Sequence, residues 1–292
     1  RMPASTHPAA KASPKSIWSD ADRRTAEELS ISHFKKLEDE GALGLKHPII
    51  IKAKRIVDPR ESTLCLPPNT KVIHFQRHGQ GYHNLLANVY RECGKKMSPS
   101  DPGSPYVRPE IVDSPLTARG FEECAAWRDE ASALRPELVV VSPMQRAVRT
   151  AMTTFADHMG GETKWVAHEG CREDLGVFTC NKRRALSSIV ADFPFLDFGH
   201  IDPAEEDTLW RPDAQETGVE KAERAYRFMT EFIFHRPERE IVVVTHSSYL
   251  FSLFNTVLDC GKDKELKSWF FTSEIRSIEV SFSEPQDQKS EL

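Results

Sequence analysis

Four residues able to bind or transfer a phosphoryl group stand where the sequence marks the ends of strands. Lys71 to Gln76 reads as a short buried strand, and it stops at Arg77, His78 and Gly79 before helix-compatible sequence begins at Tyr82. An arginine offers a planar fork of donors to phosphate oxygens, and a histidine is a nucleophile or acid/base near neutral pH. A helix beginning just beyond would present unpaired N–H groups to an anion, and Gly79 would leave its approach unblocked. Two more apolar runs, Val139 to Val141 and Ile241 to Thr245, lead into Arg146 and His246. In a parallel sheet all strand carboxyl ends face one crevice, so Arg77, His78, Arg146 and His246 are expected to meet there.

The elements that must position these residues alternate between apolar strands and amphipathic helices. That pattern predicts an α/β fold, a three-layer α/β/α sandwich with a mostly parallel central sheet. Thr25 to Glu28 has the form of a capping box, opening a helix to about Gly41 with Leu29, Phe34 and Leu37 free to dock. His47 to Val57 reads as extended. Helices are expected over Tyr82 to Cys93 and Leu116 to Leu134, and after Ser142 and Pro143 as N-cap and first residue. Strands are expected over Glu137 to Val141, Lys164 to His168 and Glu240 to Thr245, with Arg276 to Phe282 as an edge strand. Helical spacing recurs around Val219 to Ile233 and Leu250 to Leu258. Residues 97–115 hold five prolines and read as a surface excursion walling the entrance. Pro194 to Glu216 is acidic and carries three aromatics, consistent with a lid or wall whose inward residues are Trp210 and Arg211.

Length and composition fit one catalytic domain over 46–283, preceded by an N-terminal tail and docking helix (1–45) and followed by a polar tail (284–292) expected to be disordered. Lys and Arg number 39 against 44 Asp and Glu, a net charge of -5. A mildly acidic chain argues against a nucleic-acid partner and requires any anion site to gather its cations locally. No run is long and apolar enough for a membrane span. Six cysteines, with no Cys-x-x-Cys pair, indicate neither a zinc site nor a disulfide framework, and no metal or cofactor is expected. The thiols point to a cytoplasmic protein. The acid-free, Ser-rich start is also compatible with the remnant of a transit peptide.

Taken jointly, Arg77-His78-Gly79, Asn84, Leu116 to Gly120, Ser142 to Arg146, Cys171 to Asp174 and Val244 to Ser247 resemble the histidine phosphatase superfamily, in its phosphoglycerate mutase-like branch. The likeness runs from about Lys71 to Phe282. It implies that His78 attacks phosphorus to form a phosphohistidine, that Glu173 serves as general acid and base, and that Arg77, Arg146, His246 and Asn84 surround the transferring group. Asp174 is the rival carboxylate. His78 would be kept neutral by a ring N–H donated to a main-chain carbonyl, and burial would raise the pKa of Glu173. Gly79, Gln80, His83 and Ser247 are further candidate substrate contacts. Arg183 and Arg184, in a basic cluster with Arg172 and Lys182, are candidates for a second anionic group.

A phosphatase acting on a small anionic phosphorylated substrate is the expectation. Gln80 and His83 depart from the mutase pattern, where Glu and Trp are usual, yet a phosphoglycerate mutase-type transfer is the alternative. A non-catalytic phospho-ligand-binding module is the other. It would predict loss of a core group, and none is lost. Ser248, where many relatives have Gly, bears on the pocket floor. Sugar phosphates, phosphorylated carboxylic acids, nucleotides and phosphoproteins all fit the anion chemistry.

Overall fold

The computed structural model of the protein describes residues 14–57, 66–95 and 103–283. The tail expected at 284–292, residues 1–13 of the N-terminal segment, and 97–102 of the proline-rich excursion lie outside the described residues. Within them the strands are β1 (Ile50–Arg55), β2 (Thr70–Arg77), β3 (Leu138–Val141), β4 (Lys164–His168), β5 (Asp197–His200), β6 (Glu240–Thr245), β7 (Leu258–Asp259) and β8 (Ile275–Ser283). They form one sheet in the order β5-β4-β3-β6-β2-β8-β1-β7. Strands β2, β6, β3, β4 and β5 pair in parallel, whereas β8 runs antiparallel to both its neighbours. The sheet is therefore mixed and mostly parallel.

Parallel strands covered on both faces are mostly apolar, as Leu138 to Val141 and Ile241 to Val244 are, although β2 buries His74 and Gln76 among its apolar residues. Leu138, Val140, Ile241 and Val243 enter one core with Phe75, Phe228, Tyr249 and Phe254. Their alternates Val139, Val141, Val242 and Val244 enter the other with Val148, Phe155 and Phe193. The period of two places the sheet between two helical layers. One layer contains α5 (Gln145–Thr154) and α6 (Leu186–Asp192); the other contains α7 (Gly218–Arg227), running into a π-helical stretch, and the similarly extended α8 (Ser247–Ser252). Helices this short are marginal alone, so their stability comes from burial, at about 1.5–3 kcal/mol for each large apolar side chain.

The N-terminal helix spans Asp20–Asp39 and begins earlier than its sequence suggests. Ser19 and Asp22, not Thr25 and Glu28, form its capping box. Leu29 and Leu37 pack with Phe251 and Trp269, whereas Phe34 is exposed. The 116–134 segment divides into Ala118–Ala126 and Arg128–Ser132, interrupted at Trp127. Strand β8 is interior and not an edge, because β1 pairs along its far side. Asp197–His200 supplies instead a strand that its polar residues do not announce. Within Pro194 to Glu216, Arg211 is exposed and Trp210 only half-buried; the buried residues are Leu196 and Ile201, which join the core, and the polar Asp207 and Glu216.

Candidate active site

Four adjacent strands, β4, β3, β6 and β2, end level with one another, with Arg77 beside Thr245 and Val141 beside both Val244 and Ala167. The segments leaving them carry Glu173, Arg146, His246 and His78. His78 is buried, and its ring lies 5.1 Å from that of His246 and 5.4 Å from that of His83, centroid to centroid. Its Nδ1 is 2.7 Å from the Gly79 carbonyl oxygen. A carbonyl only accepts, so Nδ1 carries the proton and the lone pair of a neutral ring resides on Nε2. Burial first, then the charges of Arg146 and Arg77, hold the His78 pKa well below its ordinary value.

The backbone of this loop does not form the anion cradle that a strand-to-helix turn suggests. His78 N–H donates to Thr245, Gly79 N–H to Thr150 Oγ1 and Gln80 N–H to Glu123 Oε2. At the start of α2 (Tyr82–Glu92), the N–H groups of Gly81, Tyr82 and His83 go to Asn84 Oδ1, Pro115 O and Ser114 Oγ. With these donors committed, an anion must be held by side chains. Gly79 likewise serves packing rather than access, since a Cβ there would stand 2.5 Å from Gly120 O and 2.7 Å from Cys124 Sγ. Gln80 accepts from Thr117 Oγ1 through its side chain, tying the loop to the helix that Thr117 caps.

Those side chains are unusual in their partners. Arg77 donates to Phe270 O at 2.7 Å; Arg146 donates to Cys180 O at 2.7 Å and Asn181 Oδ1 at 3.0 Å. Among the described residues neither guanidinium has a carboxylate ion pair, and in both the Nε lacks a partner. Burial presses the pKa of each downward. Two cations buried without a contacting carboxylate are costly, even with the charge of Glu173 acting on both, and an anion bound between them would relieve that cost. His246 places Nε2 2.8 Å from Ser142 Oγ and leaves Nδ1 unpartnered; His83 Nδ1 is unpartnered too. Ser142 is not the N-cap of α5, which begins at Gln145 after Met144. Asn84 is half-buried with its carbonyl oxygen committed to Gly81, and Ser247 opens α8 directly after His246.

Glu173 lies beyond β4, with Oε1 accepting from Tyr249 N–H at 2.9 Å. Burial first, then the neighbouring charge of Asp174, raises its pKa. Asp174 behaves oppositely. Burial pushes it up, but the Lys221 ammonium in direct contact with Oδ1 holds it well below the usual carboxylate range. Consecutive carboxylates are thus driven apart, and of the two it is Glu173 that keeps its proton to the higher pH.

The basic cluster is committed to structure. Arg183 is buried, donating to the carbonyl oxygens of Arg184, Ala204, Glu205 and Glu206. Arg184 joins Asp113 at 2.8 Å and Asp192 at 2.9 Å, and Arg172 joins Asp207 and Glu169. Lys182 covers the Trp210 ring. The charge run therefore anchors the acidic segment 204–207, which contradicts the expected substrate role of Arg183 and leaves Arg184 little free. Sequence reading also missed Thr150, Asn181, Tyr106 and Lys221, and placed Ser142 as an N-cap within a motif and not as the partner of His246. Tyr106, from the proline-rich excursion, stacks edge-on with Phe178 and is pushed up to about 12 by burial, with Arg77 and Glu173 among the charges it feels. Among the described residues no group of three or more His, Cys, Asp and Glu side chains is arranged to hold a metal ion.

A sequence profile described as the histidine phosphatase superfamily (branch 1) matches residues 109–284, which contain Arg146, Glu173 and His246. Phosphoglycerate mutase-like protein 1 of Arabidopsis thaliana is 31% identical over 242 residues, covering 72% of this chain and 81% of its own. A probable phosphatase of Schizosaccharomyces pombe is 27% identical over 183 residues, covering 60% of this chain and 74% of its own. Among solved structures, mycobacterial glucosyl-3-phosphoglycerate phosphatase is similar with a TM-score of 0.45 at 19% identity, over 73% of this chain and 98% of that one.

Proposed function

The chain belongs to the histidine phosphatase superfamily, and from that premise we propose that it hydrolyses phosphate monoesters through a phosphohistidine on His78. The observation that carries this reading is the pair of buried guanidiniums, Arg77 and Arg146, that lack carboxylate partners beside a neutral histidine with its Nε2 lone pair free. Phosphoryl transfer is catalysed mainly by positioning and by neutralising charge on the equatorial oxygens, which is what such a pair supplies.

In the proposed sequence His78 Nε2 attacks phosphorus in line, and the P–O ester bond breaks as Glu173 delivers its proton to the leaving oxygen. Glu173, now a carboxylate, takes a proton from water as that water's oxygen attacks phosphorus. The P–N bond then breaks, its electron pair returning to Nε2, and inorganic phosphate leaves. The Nδ1–H to Gly79 bond keeps the ring in one orientation through both steps. His246, His83 and Asn84 complete the wall around the transferring group.

The test is a panel of phosphate esters, including sugar phosphates, phosphorylated carboxylic acids, nucleotides and phosphopeptides, with phosphoglycerate mutase activity assayed alongside. Release of inorganic phosphate that persists in chelator and is blocked by vanadate is expected. Phosphate returned to product without release would identify a mutase instead, and binding without either would identify a phospho-ligand-binding module.

A further inference from the structure

We propose that Lys221 is a positioning residue for this reaction, closing a ring of contacts with Asp174 and Ser248 that keeps Asp174 a carboxylate and leaves the transferable proton on Glu173. The inference rests on the reading of Glu173 as the general acid. Two neighbouring carboxylates in a buried site ordinarily share one proton, and neither is then a dedicated acid. What assigns the proton here is geometry supplied by three separate elements.

Lys221, in the first turns of α7, is buried and contacts Asp174 Oδ1 directly. Its Nζ also donates to Ser248 Oγ at 2.6 Å, and that hydroxyl donates to Asp174 Oδ1 at 3.0 Å, which closes the ring. Ser248 lies in the first turn of α8, whose next N–H, that of Tyr249, holds Glu173. One serine therefore joins the ion pair to the helix end that carries the acid. A glycine at 248 could not close this ring, because it has no hydroxyl to bridge lysine and aspartate.

The charges around Glu173 come from every side. Arg77 follows from β2, Arg146 from α5 and Lys221 from α7, while Tyr106 and Cys180 approach from loops. Arg224 donates to the Glu173 carbonyl oxygen and is itself paired with Glu216. His33 and Lys36 of the N-terminal helix act on Asp174. Of these groups Lys221 alone touches Asp174 as a cation, so it decides which carboxylate is ionised.

The signs follow. Asp174→Asn removes the anion beside Glu173 but keeps the ammonium, so Glu173 loses its proton more readily. Lys221→Met removes the cation, so the pair of carboxylates holds its last proton more tightly. The readout is the alkaline limb of kcat against pH with β-glycerophosphate, where the leaving oxygen needs a proton. Asp174→Asn should move that limb down by roughly one pH unit and Lys221→Met up by about as much. The double variant should fall between them, near the parent. A merely structural role would lower kcat at every pH without moving the limb. Asp174→Asn preserves shape and suffices by sign if Lys221→Met does not fold. A limb unmoved or moved up in Asp174→Asn, yet abolished by Glu173→Gln, would overturn the role of Lys221 alone. A limb that survives Glu173→Gln would overturn the assignment of the acid.

Discussion

His78 donates its Nδ1 proton to the carbonyl oxygen of the very next residue, Gly79, across 2.7 Å. The contact fixes the tautomer, while burial and two flanking guanidiniums outweigh its pull toward the protonated ring and keep the imidazole neutral well below its ordinary range. The free enzyme should therefore retain its nucleophile as pH falls through 6.5. Once corrected for substrate ionisation, kcat/KM should show no acidic limb near that value, and a limb there in the parent protein would show a histidine free to protonate.

Arg183 is expected to matter for stability rather than substrate. Removing a buried guanidinium takes a donor from the carbonyl oxygens of Arg184, Ala204 and Glu206, while Glu205 O keeps Leu186 N–H and Glu169 keeps Arg172, at a cost of about 1–3 kcal/mol. Arg183→Ala should lower the denaturant midpoint strongly, with KM for doubly anionic substrates unchanged where the protein is folded. A raised KM at undiminished stability would restore Arg183 to the substrate site.

Gly120 should tolerate no side chain, since a Cβ would sit 2.2 Å from the Gln80 carbonyl oxygen. Both partners are backbone, so neither can swing aside. Gly120→Ala should displace the loop that carries His78, cutting kcat and thermal stability together. Gly161→Ala, with nothing within 4 Å, is the matched control and should be near neutral in thermal melts.

How these residues became legible, or failed to, has a physical pattern. The apolar runs of β3 and β6 were readable because burial on both faces leaves little choice of residue type, and the strand ends so marked, with that of β2, are those at which Arg77, His78 and His246 stand. Strand β5 was not, because Asp197 to His200 is half polar and pairs along only one side. Arg183 misled for a related reason. A charge run looks the same whether it faces solvent, substrate or main-chain carbonyls, and only the fold of 204–207 decides between them. Lys221 is separated from Asp174 by 47 residues, so no local spacing pointed to their contact.

Acid should loosen the fold before it titrates ordinary carboxylates. Burial lowers His33 to about 4 and His168 to about 3 from 6.5, so the folded state binds fewer protons than the unfolded chain in that interval. Stability is then full above 6.5 and falls as pH drops toward the folded values, by on the order of 3 kcal/mol for each histidine. Denaturant midpoints at pH 7 and 5 should show the loss, and His33→Gln should reduce it. An unchanged pH slope in that variant would place the effect elsewhere.

The central claim is a phosphohistidine on His78 resolved by Glu173, and trapping tests it most directly. Glu173→Gln keeps size and hydrogen bonding but can neither donate the proton nor activate water, contributions worth about 10²–10⁴-fold in general acid/base catalysis. Mixed with a radiolabelled aryl phosphate, whose leaving group needs no proton, this variant should accumulate acid-labile label that maps to His78. His78→Ala in the same background should carry none. Label on another residue, or turnover by Glu173→Gln at the parent rate with no label accumulating, would contradict the account.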